Sequence, residues 1–356
     1  MRERVLLSGN EALGEGAIRA DCRFFFGYPI TPQGELFDYL ARRLPEVGGA
    51  FLQSESEISA INMVYGAAAA GKRVMTASSS TGVSLMQEGI SFLATTQLPC
   101  LIVNIMRAGP GLGRVSPSQA DYMQATKGGG HGGYHTIVLA PASAQEMADL
   151  GFEAFSLADK YRTPVMILGD GMLGQTMEPV ILPNSVDMSQ LPLKPWAITG
   201  ARGRERNLVL AAPYTDEELI GLNSELEKKY ATIREQEAKW ESKFLEDNTD
   251  VAVVAFGSSA RISEDAILKA REQGLRVGLI RPITLWPFPE QAFADLENVR
   301  TFLVVEMNNG QMLEDVRLAA HSSAEVYHFG QGGGWIPSSQ DVYRKIVELL
   351  EARSIQ

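Results

Sequence analysis

Through its first half the chain alternates short apolar runs with longer stretches in which apolar residues recur every three or four positions. The runs Phe24–Tyr28, Val74–Ala77, Cys100–Met106, Ile137–Leu139 and Pro164–Leu168 read as strands. Thr31–Arg43, Glu57–Ala70, Ser84–Thr95 and Ala144–Tyr161 read as helices between them. This alternation predicts a parallel sheet covered on both faces. Ligands of such sheets gather outside the carboxyl ends of the strands, which directs attention to the loops after Tyr28, Leu52, Ala77 and Met106. From about residue 186 the pattern changes. Prolines 183, 192 and 195 give way to a charged segment in which Leu219, Leu222, Leu226, Tyr230, Ile233, Trp240 and Phe244 form a helical stripe. That stripe fits a helix packed on its own domain or one docked on a partner chain. A second alternating unit runs from Val251–Phe256 through a helix near Ser263–Gln273, then RVGLIRP and FLVVEM (302–307), to a helix near Asp341–Ala352. The expected layout is a parallel-sheet domain over 1–185, a linker with an amphipathic helix over 186–250, and a smaller α/β domain over 251–356.

Composition narrows the function without naming it. The 356 residues are 45% hydrophobic and 21% charged, as in ordinary globular proteins. A net charge of −11 disfavours nucleic acid, whose phosphates call for a basic face. The two cysteines, Cys22 and Cys100, form no CxxC pair, so an iron–sulfur cluster or zinc ribbon in this chain is not expected. The apolar stretch at the start is too short for a signal peptide and no run is long enough to span a bilayer, so the expected location is cytoplasmic and off the membrane.

Several segments resemble sites they do not complete. Gly66, four residues, then Gly71-Lys72 is close to a phosphate loop, but Arg73 replaces the required Ser or Thr. The four-alanine spacer predicts helix, ended by Gly71. Gly169-Asp170-Gly171 opens like a diphosphate–Mg²⁺ motif but lacks the asparagine that should follow, so a turn is expected. His131 and His135 lie in a glycine-rich loop with no ligand partners in pattern, and no metal site is expected. GQGGGW at 330–335 lacks the order of a dinucleotide loop.

The stronger candidates lie in three loops. In FGYPITPQGELF, prolines 29 and 32 stiffen the chain, and Thr31 is expected to cap the following helix with Pro32 at its first position. In QSESE, Glu57 begins an apolar helix capped by Ser54 or Ser56; in a dry pocket its carboxyl would suit sharing a proton with a cofactor nitrogen. Arg107 follows the strand CLIVNIM and precedes the Gly/Pro-rich loop AGPGLGRVSPSQADY. It suits a bidentate clamp on a carboxylate or a salt bridge, with Arg114 a second candidate.

YPITP at 28–32, SEISA at 56–60, IMRAGPGLG at 105–113 and VVEMNNGQM at 304–312, kept in this order, resemble the 2-oxoacid:ferredoxin oxidoreductase subunit that carries the thiamine pyrophosphate pyrimidine-binding domain. In that family a transketolase C-terminal-like domain follows. GPGLGRVSPSQADYMQATKGGGHG is most like the branched-chain (3-methyl-2-oxobutanoate) type rather than the GPSTGxPT form of 2-oxoglutarate enzymes. The resemblance implies that Glu57 hydrogen-bonds N1′ of the thiamine aminopyrimidine. It implies that Thr31 binds the substrate's carboxylate or keto oxygen, that Arg107 binds the substrate's carboxylate, and that Tyr28, Pro29 and Ile30 line the pocket and, with Glu57, bind the cofactor. Glu55 receives no role. It further implies that a thiamine diphosphate-binding partner holds the diphosphate and Mg²⁺, and that a gamma-type subunit and a ferredoxin-like subunit complete the enzyme, with iron–sulfur clusters only on partners. The implied reaction is oxidative decarboxylation of a 2-oxoacid with coenzyme A to acyl-CoA and CO₂, electrons passing to ferredoxin, with the chain inactive alone. Pyruvate or 2-oxoglutarate as substrate, a non-redox thiamine enzyme half, and a non-catalytic scaffold are the competing expectations.

Overall fold

The computed structural model describes residues 4–246, 249–294 and 296–354. The expected α/β class is found. The larger sheet runs in the order Thr284–Trp286, Ile137–Leu139, Pro164–Asp170, Cys100–Ala108, Val74–Ser78, Phe24–Gly27, Ala50–Gln53. All pairs are parallel except the Thr284–Trp286 edge. Cys100–Ala108 and Pro164–Asp170, at the centre, are buried at every position, which is why they read as unbroken apolar runs rather than alternating ones. The chain also forms a short antiparallel pair, Val5–Ser8 with Met177–Val180, and a hairpin in which Arg114–Pro117 returns against Cys100–Ala108.

The second sheet has the order Trp240–Lys243, Val277–Pro282, Val251–Ala255, Thr301–Glu306, Glu325–Gly330, parallel except at its Trp240–Lys243 edge. Val251, Val253, Leu303 and Val305 face a small core with Val342 and Ile346 of the final helix. The opposite face, Ala252, Val254, Phe302 and Val304, joins the main core. The two sheets therefore share one apolar interior, and the Thr284–Trp286 strand passes from the second unit onto the edge of the first sheet.

Polar contacts fix the docking. Gln119 donates to the Phe256 carbonyl at 2.9 Å, accepts from the Ser259 hydroxyl at 2.8 Å and from Met307 N–H at 3.1 Å. Asn308 of the NNG turn donates to the Gln119 carbonyl at 2.8 Å. Glu306, fully buried at the end of its strand, accepts the N–H groups of Met312 and Leu313 at 2.9 and 3.2 Å. VVEMNNGQM is thus a docking segment.

The helical stripe is shorter than its spacing suggests. The helix spans Asp216–Gln236, opened by a Thr215/Glu218 capping box, and buries Leu226, Tyr230 and Ile233 against its own chain. Trp240 and Phe244 fall outside it, because Trp240–Lys243 pairs with Val277–Pro282 and that pairing overrides the helical spacing. Tyr230 meets Trp286 and His135 edge-on, and His135 stacks on Trp286 at 4.5 Å. His135 is therefore part of an aromatic cluster that seats the crossing strand. Among the described residues no helix is long and apolar enough to cross a membrane.

Candidate functional site

The carboxyl ends of the Phe24–Gly27, Val74–Ser78 and Cys100–Ala108 strands carry the residues of interest. Tyr28, Pro29 and Thr31 are exposed and Ile30 is half-buried in the loop after Phe24–Gly27. The expected Thr31 cap is absent. The helix begins at Gly34, with Gln33 in the capping position and no side chain serving it. A residue before proline is steered away from helical dihedrals, so Thr31 stays outside the helix and Pro32 is not its first residue. The Thr31–Pro32 peptide is cis. Asn10 anchors the turn by donating to the Pro32 carbonyl at 3.0 Å.

Glu57 opens its helix behind the Ser56 cap and is 6% exposed. No hydrogen bond to its carboxylate is made among the described residues. Glu55, two residues earlier, is exposed and takes the Ser56 hydroxyl at 3.0 Å. The difference follows from helix geometry: Glu57 shares the inward face of Ala60, Ile61 and Val64, whereas Glu55 lies before the helix. The Glu57 carboxylate lies against the start of the Thr81–Thr95 helix. A Cβ placed on Gly82 would come 2.4 Å from Glu57 Oε1 and 2.0 Å from Ser78 Oγ. The Ser78 and Ser79 hydroxyls are also buried without a partner.

Arg107 is 8% exposed and draws three segments together. Its Nη1 donates to the Thr31 carbonyl at 3.2 Å; its Nη2 donates to Thr81 Oγ1 and to the Leu112 carbonyl, each at 3.1 Å. All these acceptors are neutral. Among the described residues no carboxylate is within ion-pair distance, and Nε–H has no acceptor. The cation therefore retains its attraction for an anion. Arg114 is exposed on the returning hairpin strand and shares none of these contacts.

The loop after Ala77 drew attention in the sequence, but no residue in it was singled out. Residues Ser78–Gly82 touch Glu57 on one side and Arg107 on the other. At its centre Ser80 takes φ 28° and ψ −83°, a conformation that costs on the order of 1–3 kcal/mol in a non-glycine residue. Its hydroxyl receives the Arg107 N–H at 3.0 Å and donates to Asp121 at 2.6 Å.

The incomplete motifs have structural roles. Ala67–Ala69 lie in the Glu57–Ala69 helix, and Gly71 follows with φ 80°. Arg73 makes a buried ion pair with Asp159 at 2.9 Å. Asp170 caps a short helix through Leu173 N–H at 3.0 Å and accepts from Ser258 N–H at 3.1 Å and its hydroxyl at 2.7 Å. Burial pushes its carboxyl pKa up, and these donors act against that shift. Both cysteines are buried free thiols; burial raises the Cys22 pKa to about 12 and raises that of Cys100 as well.

The residues fit the pyrimidine half of a thiamine site: a buried glutamate whose carboxylate makes no hydrogen bond among the described residues, an orphan hydroxyl beside it, and a glycine where a side chain would collide with both. Comparison with known proteins gives the family. Residues 15–247 match the pyruvate flavodoxin/ferredoxin oxidoreductase thiamine diphosphate-binding family, and residues 249–342 match core domain II of pyruvate:ferredoxin oxidoreductase. The chain is 49% identical to ketoisovalerate oxidoreductase subunit VorB of Methanothermobacter marburgensis, over 97% of each chain. It is 36% identical to 2-oxoglutarate synthase subunit KorA of Methanocaldococcus jannaschii, over 96% of this chain and 98% of that one. It resembles the solved 2-oxoglutarate:ferredoxin oxidoreductase of Magnetococcus marinus with a TM-score of 0.86 at 26% identity, covering 98% of this chain and 65% of that one. A split-gene transketolase shares the fold alone, with a TM-score of 0.59 at 11% identity over 97% of this chain and 98% of that one. The chain therefore belongs to the 2-oxoacid:ferredoxin oxidoreductases, as a subunit carrying their thiamine diphosphate-binding domain.

Proposed function

We propose that this chain supplies the pyrimidine half of a shared thiamine diphosphate site in a multi-subunit enzyme that oxidatively decarboxylates a branched-chain 2-oxoacid such as 3-methyl-2-oxobutanoate. Coenzyme A accepts the acyl group and ferredoxin the electrons. The observation that carries the reading is that Glu57, a buried residue, makes no hydrogen bond through its carboxylate among the described residues and lies beside Gly82 and the orphan hydroxyl of Ser78. A ligand N–H or protonated ring nitrogen would supply the partner that the protein does not.

When bound, thiamine diphosphate supplies the carbanion chemistry that decarboxylation requires. Glu57 holds the proton at the aminopyrimidine nitrogen, and Gly82, with no side chain, keeps its carboxylate uncovered. Arg107, neutral-partnered and lacking an ion pair, attracts the substrate carboxylate; Thr31, whose carbonyl it holds, binds the carboxylate or keto oxygen, and Tyr28, Pro29 and Ile30 beside it contact the cofactor. The aliphatic substrate follows from the ketoisovalerate relatives, with pyruvate and 2-oxoglutarate as the alternatives.

The diphosphate and its Mg²⁺ belong to a thiamine diphosphate-binding partner, because Asp170 of GDG is spent on Leu173 and Ser258. The iron–sulfur clusters belong to a ferredoxin-like partner, with a gamma-type subunit completing a cytoplasmic assembly. The domains divide near 185 and 250. Reconstitution tests the proposal: the assembled complex should form acyl-CoA from 3-methyl-2-oxobutanoate with reduction of ferredoxin, and the chain alone should not. Turnover by the isolated chain would refute the shared site.

A further inference from the structure

Asp121 stands at the position before the Tyr122–Thr126 helix, where an acidic side chain ordinarily accepts from that helix's own free N–H groups. It makes no such bond. Its carboxylate turns instead toward the Ser78–Gly82 turn, accepting from the Ser80 hydroxyl at 2.6 Å and from Asn104 Nδ2 at 3.0 Å. Asn104 completes the ring by taking the Ser80 N–H on Oδ1 at 2.9 Å. Ser80 Oγ in turn receives the backbone N–H of Arg107 at 3.0 Å. Ser80 is thus held from both ends, its N–H by one residue and its hydroxyl by another, in a backbone conformation that the sequence SSST does not favour. The next residue, Thr81, meets the Arg107 guanidinium. Burial raises the Asp121 pKa while Ser80 and Asn104 pull it back, so the carboxylate depends on these two donors.

We propose that Asp121 is a positioning residue for the 2-oxoacid carboxylate. Acting through Ser80, it sets where Arg107 leaves its strand and where Thr81 meets the guanidinium, without touching the substrate. The inference rests on Arg107 being the carboxylate clamp.

The test is steady-state kinetics of the assembled enzyme with the 2-oxoacid varied, alongside calorimetric affinity for thiamine diphosphate. Small displacements of a positioning group are costly, so Asp121→Ala and Ser80→Ala should each raise KM about tenfold or more, with kcat within about threefold and cofactor affinity unchanged. The double variant should be no worse than the worse single one, because both act along one chain of contacts. Asp121→Asn, which keeps an acceptor for Ser80, should recover most of the KM. If Asp121→Ala does not assemble, Ser80→Ala and Asp121→Asn decide. An unchanged KM in these variants while Arg107→Ala raises it would overturn the positioning role and leave the clamp standing. No effect of Arg107→Ala on KM would remove both. A parallel loss of KM, kcat and cofactor affinity would mark Asp121 as merely structural and would also overturn the inference.

Discussion

The Arg107 guanidinium donates to the Thr31 carbonyl at 3.2 Å, joining residues 76 positions apart in the chain. One side chain thereby bridges the loop after Phe24–Gly27, the Ser78–Gly82 turn and the hairpin tip at Leu112. The geometry depends on a planar fork. A lysine offers a point charge that cannot meet three acceptors in these directions. Arg107→Lys should therefore raise KM for the 2-oxoacid by about 10–100-fold, matching the roughly 1.5–3 kcal/mol of hydrogen bonds to a charged group. Initial-rate measurements on the assembled complex check this; a KM within twofold of the wild type, by contrast, would assign Arg107 to loop architecture alone.

Gly82 provides a second test, because the helix and the site want different residues there. Alanine is the better helix former by about 1 kcal/mol. Its Cβ, however, would collide with Glu57 Oε1 and Ser78 Oγ. Gly82→Ala should lower unfolding stability by about 1–3 kcal/mol through overpacking while weakening thiamine diphosphate binding and turnover at least tenfold. Denaturant titration and cofactor calorimetry on the same preparation separate the two effects. Unchanged cofactor affinity would mean that the ring does not enter beside Gly82.

Much of this arrangement was legible in the sequence, and the exceptions share a cause. The central strands could be read because parallel strands buried on both faces leave continuous apolar runs. Glu57 could be picked out because a serine cap and an apolar helix body fix which glutamate begins the helix. The backbone conformation of Ser80 could not, since a positive φ usually announces itself with glycine or asparagine and here it falls on the last of three serines. Asp121 was not singled out, because its use comes only from the approach of a segment 41 residues away. Thr31 misled for the opposite reason, because its local signal was good and the following proline excluded it. The three-residue strand Thr284–Trp286 is too short for any periodicity and owes its place to the partner strand at Ile137–Leu139.

His135 supplies a pH prediction. It stacks on Trp286 beside Tyr230, and burial, aided by Arg234 and Lys127 and opposed by Glu227, holds its pKa below the ordinary 6.5. The unfolded chain then binds a proton more readily than the folded one in the window below 6.5. Stability is therefore full above that value and is lost as pH falls through the window toward the folded-state pKa. His135→Phe keeps an aromatic ring without the titration. Between about pH 7.5 and about pH 5.5 its melting temperature should fall by less than that of the wild type. An identical decline in both would exclude His135 as the source.

Asp170 separates a structural carboxylate from a metal ligand. It accepts from Leu173 and Ser258, and through Ser258 it holds the second unit against the first. Asp170→Ala should lower unfolding stability by about 2–5 kcal/mol, because several buried donors lose their acceptor. A stable variant whose only defect is weaker Mg²⁺ dependence of activity would instead place the metal on this chain.

Glu57 gives the most direct test of the central claim. Glu57→Gln preserves shape and replaces the carboxylate with a neutral amide. Turnover of the reconstituted complex with a saturating 2-oxoacid is the measurement, with subunit assembly checked on the same sample. The predicted result is intact assembly with kcat reduced by about 10²–10⁴-fold, the usual contribution of a positioned proton-holding group; intact assembly with undiminished kcat would contradict it.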